Sequence, residues 1–424
     1  MYDPKFIRTH TDELREAVRK KGEKADLDRI LALDARRREL LGEVEKLKAE
    51  RNRCSQAIGR AKASGEDAQE AIVAMREVGA RIKQYDAELA EVEAESARLV
   101  QWLPNIPHPD VPEGGEDANA YIRSWGEKRE EEGLRDHVEL GTELGILDFG
   151  AASRMTGSGF AVYTGVGARL QRALINFMLD VQGAAGYREV RVPYAVRGEA
   201  LFGCGQLPKL EEDMYAIPGD DLYLIPTAEV PLTNLFCGES IEERDLPINL
   251  VAYSPCFRRE AGTYGRQTHG LIRMHQFDKV EIVKLTTPEN SYNQLERLTA
   301  DAEAVLQALE LPYRVMLLAT GDLSFASAKT YDLELWAPGE KRWLEVSSCS
   351  NFEDFQARRL DLRYRSAAGK LRHVHTLNGS GVALPRLMVA ILEHYQTASG
   401  TIRLPEALQP YLGGLQEIPA QPGD

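Results

Sequence analysis

The sequence predicts an α+β protein in which an antiparallel sheet packs against helices and follows an antiparallel two-helix coiled coil. Two heptad patterns fill residues 27–100, four prolines interrupt residues 104–112, and short strand-like and helical patterns alternate after them. A chain of 424 residues is long enough for two or three domains. We therefore expect one domain at 1–104 and a larger one at 105–424.

The first heptad pattern begins at Ile30 and continues for more than four repeats. Turn residues at 64–67 interrupt it, and a second pattern then runs to Leu99. Two long helices joined by a tight turn make an antiparallel helical hairpin. The seam positions are Ile30, Leu33, Arg37, Leu40, Val44, Leu47, Arg51, Cys54, Ile58 and Ala61 in the first helix, and Val78, Ile82, Tyr85, Leu89, Val92, Ser96 and Leu99 in the second.

Charge is distributed unevenly along the chain. The sequence has 66 acidic and 52 basic residues, and the net charge of −14 by itself argues against nucleic acid as a partner. Residues 29–62, in contrast, hold ten bases and five acids, whereas residues 68–100 hold four bases and seven acids. Two interpretations remain open: the charges keep a coiled coil in solution, or the first helix presents a basic stripe to a phosphate backbone.

Several classes of protein are not favoured by the sequence. The longest apolar run, Leu387–Leu392, is too short to span a membrane and the chain does not begin with a secretory signal, so we expect a soluble cytoplasmic protein. Five scattered cysteines suggest neither a disulfide framework nor a zinc site. The sequence also lacks the glycine motifs of Walker and Rossmann nucleotide sites.

The larger domain is predicted from shorter periodic segments. Apolar spacing predicts helices at 170–181, 290–309 and 386–396, and strands at 279–284 and 314–318. Strands in series, connected by hairpin-like loops, indicate an antiparallel sheet with helices against it.

One hairpin holds the densest group of chemically useful side chains. In an unbroken strand Arg273, Phe277 and Glu281 share a face, and Arg258 and Glu260 share parity on the partner strand. Guanidinium groups match phosphate oxygens, an aromatic ring stacks on a base, and a carboxylate accepts a hydrogen bond from an exocyclic amine. A salt-bridged hairpin face is the simpler interpretation, but an aromatic residue among charges of both signs, beside a glycine-containing loop, favours a nucleotide site.

This hairpin resembles motif 2 of the class II aminoacyl-tRNA synthetases, in detail the version of the bacterial-type seryl-tRNA synthetase family. Residues 186–193 resemble motif 1, with Pro193 as the interface proline, and residues 376–386 resemble motif 3. Thr227-Ala228-Glu229 is similar to the family's serine-recognition triplet, and residues 345–351 are similar to its metal and ATP segment. Together with the N-terminal hairpin, the resemblance covers essentially the whole chain.

The resemblance implies ATP-dependent attachment of L-serine to tRNA(Ser), and to tRNA(Sec) where present, through a seryl-adenylate. It also implies Mg²⁺ as cofactor, tRNA binding by the helical arm at about 27–100, and a homodimer formed around Pro193. Arg258 and Arg386 would be catalytic, and Glu345 and Ser348 would hold the metal. Serine would be bound by Thr227, Glu229, Arg258, Glu281, Asn378 and Ser380. ATP would be bound by Arg258, Arg259, Glu260, Arg273, Met274, Phe277, Glu345, Val346, Ser347, Ser348 and Arg386.

Some of these residues also have simpler structural explanations. Thr227 is a plausible helix cap with Glu229 in the first turn, and Ser380 lies in a glycine-rich turn where serine is common. Glu345 and Ser348 have opposite strand parity, so a bulge or a strand end near Ser347 is required if both are to hold one ion.

The sequence departs from the family pattern in two places. Tyr264 is bulkier than the usual residue of the motif 2 loop, and Gln267 replaces a charge there. Leu384-Pro385 precedes Arg386 where small residues are more usual. The family's motif 2 loop meets the tRNA acceptor end, so we expect these changes to affect tRNA handling more than serine activation.

Two other functions compete with this one. A synthetase-like paralogue that loads an amino acid onto a carrier protein would share the catalytic half but would lack the long hairpin. A non-enzymatic coiled-coil interaction protein would not need the complete set of residues that the motifs supply, which comprises Arg258, Glu260, Phe277, Glu281, Glu345 and Arg386.

Overall fold

The computed structural model describes residues 1–65, 67–261 and 270–420. The chain divides into two compact units, Met1–Pro104 and Asn105–Asp424. Tyr264 and Gln267, which the sequence analysis singled out, lie outside the described residues. Among the described helices, none is long and apolar enough to cross a lipid bilayer.

The first unit is built around a long antiparallel pair of helices. The first of the two is capped by Asp26, whose carboxylate accepts a hydrogen bond from the Arg29 amide at 2.9 Å. It ends before Gly65, whose φ of 76° is a conformation that glycine adopts without steric cost. The helices of this unit are α1 (Pro4–Thr9), α2 (Thr11–Lys20), α3 (Leu27–Ser64) and α4 (Gln69–Val100).

Residues of the two predicted heptad seams fill the contact between α3 and α4. Leu33, Leu40 and Val92 pack at one level, and Leu47 packs against Ile82 at another. The helical hairpin predicted from the sequence is therefore confirmed. Three ion pairs also cross from α3 to α4: Arg29–Glu95 at 2.7 Å, Arg36–Glu88 at 2.6 Å and Arg37–Glu93 at 2.8 Å.

An eight-stranded sheet forms the centre of the second unit. The strands of this unit are β1 (Ala120–Trp125), β2 (Leu147–Asp148), β3 (Val162–Tyr163), β4 (Arg188–Glu189), β5 (Ala195–Arg197), β6 (Ala216–Ile217), β7 (Leu222–Leu224), β8 (Ser240–Glu242), β9 (Ile248–Phe257), β10 (Gln276–Thr286), β11 (Tyr313–Leu317), β12 (Lys329–Ala337), β13 (Arg342–Asn351), β14 (Arg363–Arg365), β15 (Leu371–His373), β16 (His375–Ala383), β17 (Ile402–Arg403) and β18 (Glu417–Ile418). The sheet order is β1-β11-β12-β13-β16-β10-β9-β4, and neighbours are antiparallel except for β4 and β9, which are parallel. The predicted antiparallel sheet is thus confirmed.

Helices cover both faces of this sheet. They are α5 (His137–Glu143), α6 (Phe149–Thr156), α7 (Gly165–Ala184), α8 (Gly198–Gly203), α9 (Glu229–Asn234), α10 (Ser291–Ala308), α11 (Phe355–Leu360) and α12 (Leu384–His394). The predicted helix at 170–181 is longer at both ends and runs from Gly165 to Ala184. Gly167 is required there, because a Cβ atom at this position would lie 2.5 Å from the carbonyl oxygen of Ile146.

Strand alternation gives the two faces of the sheet different surroundings. On β10, Val280 and Ile282 belong to a large apolar core that includes residues of α7, α10 and α12. Val283 and Leu285 point to the other face, where they join a smaller core with residues of α9 and α11. Glu281 shares this second face, so the fold brings α9 and the odd-numbered side of β10 together.

Candidate active site

The floor of the candidate site is formed by neighbouring residues of β10 and β16. Glu281 is paired with Ser380, and Val283 is paired with Asn378, so these side chains share one face of the sheet. The register shifts between Val280 and Glu281, where Gly381 is the extra residue on β16. Three residues for which the family resemblance implies serine binding, Glu281, Asn378 and Ser380, are therefore adjacent.

Thr227 and Glu229 reach the same face from the start of α9. The N-cap residue of α9 is Ala228, which makes no side-chain capping hydrogen bond, so the interpretation of Thr227 as the helix cap is wrong. The Thr227 hydroxyl oxygen nevertheless accepts a hydrogen bond from the Glu229 amide at 3.1 Å. Glu229 is 4% exposed, and its Oε1 accepts a hydrogen bond from Gln356 at 2.6 Å. Gln356 is fixed in turn by the Thr376 hydroxyl, which donates to it at 2.7 Å. No motif or periodic pattern in the sequence points to Gln356.

Two buried carboxylates dominate the electrostatics of this part of the site. Burial, and next the charge of Glu281, raise the pKa of Glu229 to about 7, while Gln356 lowers it. Glu281 is 1% exposed, and its Oε2 lies 2.7 Å from the ammonium group of Lys279. These two atoms are close but not aligned for a hydrogen bond, and that oxygen has no hydrogen-bond partner among the described residues. The arrangement suits a ligand that brings a positive charge and hydrogen-bond donors.

Arg258 lies beside the ring of Phe277, so a positive charge is next to an aromatic ring at this point of the site. Its guanidinium carbon is 5.2 Å from the centre of that ring, and its Nε donates to the carbonyl oxygen of Pro226 at 3.3 Å. The Arg258 amide donates to the carbonyl oxygen of His275 at 2.9 Å, and Nδ1 of His275 lies 3.0 Å from the carbonyl oxygen of Arg258, so His275 holds the Arg258 backbone on both sides. Arg258 is thus fixed at the end of β9 with its side chain over β10.

The strand-parity argument for Arg258, Glu260 and Arg273 is wrong, because all three lie outside the strands. β9 ends at Phe257 and β10 begins at Gln276. Glu260 has a φ of 53°, which turns the chain, and its carboxylate forms an ion pair with Arg273. The residues still meet as predicted, but a turn and an ion pair bring them together and strand alternation does not.

Arg386 links the segment before β10, which contains Ile272, to β13. It lies in the first turn of α12, and its Nε donates to the carbonyl oxygen of Ile272 at 3.1 Å. Its Nη1 donates to the carbonyl oxygen of Glu345 and lies 3.7 Å from that residue's carboxylate. The guanidinium group therefore joins two segments that the sequence assigned to ATP.

The bulge that the sequence required near Ser347 is confirmed. Opposite it, Leu333 pairs with Ser347 but Glu334 pairs with Glu345, so Val346 is the extra residue on β13. Val346 and Ser347 are both buried at 1% exposure, whereas Glu345 is exposed. Glu345 and Ser348 consequently share the open face of the strand.

Asp332 is a residue near the site that the sequence analysis missed. It lies on β12 directly opposite Ser348, its carboxylate is buried, and its Oδ1 lacks a hydrogen-bond partner among the described residues. Burial and the nearby charge of Glu345 raise its pKa well above the usual value. No motif contains Asp332, and a single aspartate in a strand carries no periodic signal.

Four residues assigned to ATP binding have side chains directed elsewhere. Val346 and Met274 belong to the apolar core. The Ser347 hydroxyl donates to the carbonyl oxygen of Ser380 and so ties β13 to β16. The guanidinium carbon of Arg259 lies 5.6 Å from the ring centre of Tyr215.

Comparison with known proteins agrees with this architecture. Residues 213–395 match the family described as tRNA synthetase class II core domain (G, H, P, S and T), and residues 1–107 match the seryl-tRNA synthetase N-terminal domain. The fold and site therefore define a class II aminoacyl-tRNA synthetase.

Full-length relatives define the family more closely. Serine–tRNA ligases of Desulfitobacterium hafniense (strain Y51) and Caldanaerobacter subterraneus are 54% and 55% identical to the chain, each over 97% of it and over 99% and 98% of their own lengths. The crystal structure of seryl-tRNA synthetase from Pyrococcus horikoshii complexed with ATP has a TM-score of 0.94 and 38% identity, with 100% of both chains covered. The chain belongs to the seryl-tRNA synthetase family.

The raised pKa of Asp332 predicts how an Asp332→Asn substitution changes stability. A carboxyl group whose pKa is raised by folding destabilises the folded protein as pH rises from about 4 through the raised value. The neutral isostere should therefore raise the free energy of unfolding by about 1–3 kcal/mol at pH 8 and by much less at pH 4.5. Denaturant unfolding of the wild-type and variant chains at both pH values measures this difference. If the substitution raises the free energy of unfolding equally at both pH values, the raised pKa of Asp332 is contradicted.

Proposed function

We propose that this chain attaches L-serine to tRNA(Ser), and to tRNA(Sec) where present, in two steps through a seryl-adenylate, with ATP as the second substrate. The observation that carries the proposal is a group of buried and half-buried polar side chains beside an arginine and an aromatic ring. Glu229, Glu281 and Ser380 suit the ammonium and hydroxyl groups of serine. Arg258 and Phe277 adjoin them and suit a phosphate and a base.

The first step is an in-line attack of the serine carboxylate on the α-phosphorus of ATP. A new bond forms between the carboxylate oxygen and phosphorus, and the bond to the pyrophosphate oxygen breaks. The carboxylate is already ionised at neutral pH, so this step needs no general base. Arg258 and Arg386 then act by positioning the substrates and by balancing the negative charge of the phosphates.

The adenine ring would be held between Phe277 and Arg386, and Glu260 would accept a hydrogen bond from its amine. Arg273 would reach the distal phosphates once it leaves its ion pair with Glu260. This exchange of partners would release the Glu260 carboxylate from Arg273, so that it could accept a hydrogen bond from the adenine amine. The ion pair in the free chain thus keeps two ATP-binding groups near their places before the nucleotide binds.

Mg²⁺ fits the donor set on β13 and β12. Glu345 and Ser348 would hold the ion, and the unpartnered Oδ1 of the buried Asp332 behind Ser348 supports a cation there. Hard oxygen donors are the ligands that magnesium prefers. When bound, the ion would clamp phosphate oxygens and neutralise their charge.

In the second step the terminal ribose hydroxyl of tRNA attacks the seryl carbonyl carbon, for which class II membership implies the 3′-hydroxyl. The bond between that carbon and the phosphate oxygen breaks, AMP leaves, and the hydroxyl proton is released to solvent. Selection of serine follows from the polar site. Alanine and glycine would leave the buried Glu281 and its neighbours without a hydroxyl partner, and this costs binding energy. Threonine would need space for an additional methyl group, for which we propose the site is too small.

Further proposals concern assembly and location. We propose a homodimer formed through motif 1 around Pro193, and a cytoplasmic location, where aminoacylated tRNA is used.

The two competing functions have weaker support. The relatives match the long arm as well as the core, which disfavours a carrier-protein ligase, and the assembled site disfavours a purely structural protein.

We also propose that the distal part of α3 binds tRNA. Arg29, Arg36 and Arg37 near its start are paired with acids of α4. The bases further along are exposed and form no ion pair with any described residue: Lys48, Arg51, Arg53, Arg60 and Lys62. Unpaired arginine and lysine side chains are free to bind phosphates, so both interpretations of the charge pattern apply, each to one half of the helix.

Serine should drive ATP–pyrophosphate exchange, because adenylate formation is reversible. Arg258→Ala should reduce the exchange rate by about a hundredfold or more, since a charge-balancing group in the transition state is lost. Exchange is measured with each of the twenty amino acids in turn. Exchange with an amino acid other than serine, or with none, contradicts the proposed activity.

The titration of Glu229 should be visible in serine binding. Because the ionised carboxylate attracts the ammonium group, KM for serine at saturating ATP should fall about tenfold between pH 6 and pH 8, as expected for a pKa of about 7. Glu229→Gln should remove this dependence. A wild-type KM that does not change over this range, or a variant with the same slope, contradicts the role of Glu229.

Two triple substitutions test whether the distal half of α3 binds tRNA while the first half stabilises the hairpin. Replacing Arg51, Arg53 and Arg60 by alanine should weaken tRNA binding about tenfold or more and should reduce the salt dependence of the affinity. The matched control replaces Arg29, Arg36 and Arg37 by alanine; it removes the same charge but should lower mainly the stability of the arm. Filter binding at several salt concentrations measures both. Equal losses of affinity contradict a tRNA surface confined to the distal half.

A further inference from the structure

A buried histidine–glutamate pair joins four segments of the second unit. His137 begins α5 and Glu393 lies near the end of α12, and both are fully buried at 0% exposure. Oε1 of Glu393 accepts hydrogen bonds from the amide and from Nδ1 of His137, both at 3.0 Å. Its Oε2 accepts from the amides of Gly339 and Glu340, in the turn between β12 and β13, at 2.9 and 3.1 Å.

These contacts determine the tautomer of His137. The carboxylate oxygens of Glu393 are acceptors, so Nδ1 carries a proton and donates it. Nε2 is then the acceptor of the neutral ring, and it accepts a hydrogen bond from the Leu271 amide at 3.1 Å. The histidine thus uses both ring nitrogens.

The fourth segment is the stretch that returns from the motif 2 loop to β10. Gly270 precedes Leu271 with φ = 61°, and a Cβ atom at Gly270 would lie 2.2 Å from Nε2 of His137. Only glycine allows the imidazole to approach so closely. The chain is therefore held against His137 at the first described position after residues 262–269.

Residues that follow this contact directly belong to the proposed ATP site. The carbonyl oxygen of Ile272 accepts the Nε hydrogen bond of Arg386 at 3.1 Å. Arg273 comes next and forms the ion pair with Glu260. A shift of the Leu271 amide would move both the anchor of Arg386 and the backbone of Arg273.

A cation site is a less suitable interpretation of the same cluster. His137, Glu340 and Glu393 offer donor atoms within 4.8 Å of one another. However, both nitrogens of His137 and both oxygens of Glu393 already take part in hydrogen bonds, and Glu340 lies 3.3 Å from Arg342. A bound ion would have to break several of these buried contacts.

We propose that His137 is a positioning residue for ATP: through the Leu271 amide it fixes the segment that orients Arg273 and Arg386. Glu393 sets the tautomer that makes this possible. The inference rests on the proposed function for its kinetic effect, whereas the contact itself does not depend on that function.

Two variants, each of which matches one ring nitrogen of His137, separate the positioning of the Leu271 segment from a general loss of stability. Asparagine at 137 places an N–H near the position of Nδ1 but has no acceptor near Nε2; glutamine reaches Nε2 with its carbonyl oxygen but lacks the Nδ1 donor. In serine-dependent ATP–pyrophosphate exchange, His137→Asn should raise KM for ATP about three- to tenfold with a smaller effect on KM for serine. His137→Gln should restore most of the ATP affinity.

Hydrogen exchange of the Leu271 amide supplies a readout besides activity. The amide should exchange faster in His137→Asn than in the wild-type chain and should remain protected in His137→Gln. Thermal unfolding of both variants records any general loss of stability. Unchanged protection in His137→Asn, or KM values for ATP and serine that rise together in both variants, would overturn the inference. Absence of serine-dependent exchange in the wild-type chain would overturn the proposed function instead.

Discussion

The site depends on two carboxylates being held together inside the protein. Glu229 and Glu281 are almost completely buried, and this burial, followed by the charge of Glu281, raises the pKa of Glu229. Such a pair is unfavourable unless surrounding contacts fix it, and here Gln356 holds Glu229 while the central strand β10 holds Glu281. The ammonium of Lys279, 2.7 Å from Oε2 of Glu281, balances one of the two negative charges, and that oxygen has no hydrogen-bond partner among the described residues, so an acceptor remains for a ligand. The apolar cores on both faces of β10 keep this arrangement in place.

Two single-residue insertions decide which side chains share the face of the sheet. The bulge at Val346 brings Glu345 and Ser348 to one side, and the bulge at Gly381 separates Ser380 from the start of α12. Val382 follows the second bulge with φ = 126°, a conformation that a branched residue adopts only when its surroundings impose it. The strained backbone leads directly into the turn of α12 that carries Arg386. Local irregularity, and not the regular sheet, therefore positions the proposed ATP and metal groups.

Much of this could be predicted from the sequence, because periodic patterns and local motifs are visible in it. The hairpin of α3 and α4, the antiparallel sheet and the adjacency of Glu281 with Ser380 followed from spacing and resemblance. The turn at Glu260, which replaces strand alternation, was not predictable, since a positive φ in a non-glycine residue has no sequence signature. Asp332, Gln356 and His137 were missed for a related reason. Each acts through a partner far away along the chain, such as Ser348, Glu229 or Leu271, and single residues at such separations carry no periodic signal.

The net charge of −14 illustrates why totals mislead in a protein of this kind. The total first argued against a nucleic-acid partner, but it averages over surfaces with different charges. Within α3, Arg29, Arg36 and Arg37 are paired with acids of α4, which stabilises the hairpin. The bases beyond residue 47 form no ion pair with a described residue. An excess of acid elsewhere disfavours nonspecific contact of a polyanion with the remaining surface, which is consistent with the tRNA surface that we propose on the distal part of α3. The acidic total and a nucleic-acid partner are compatible because the distribution of charge, and not its sum, determines where a polyanion binds.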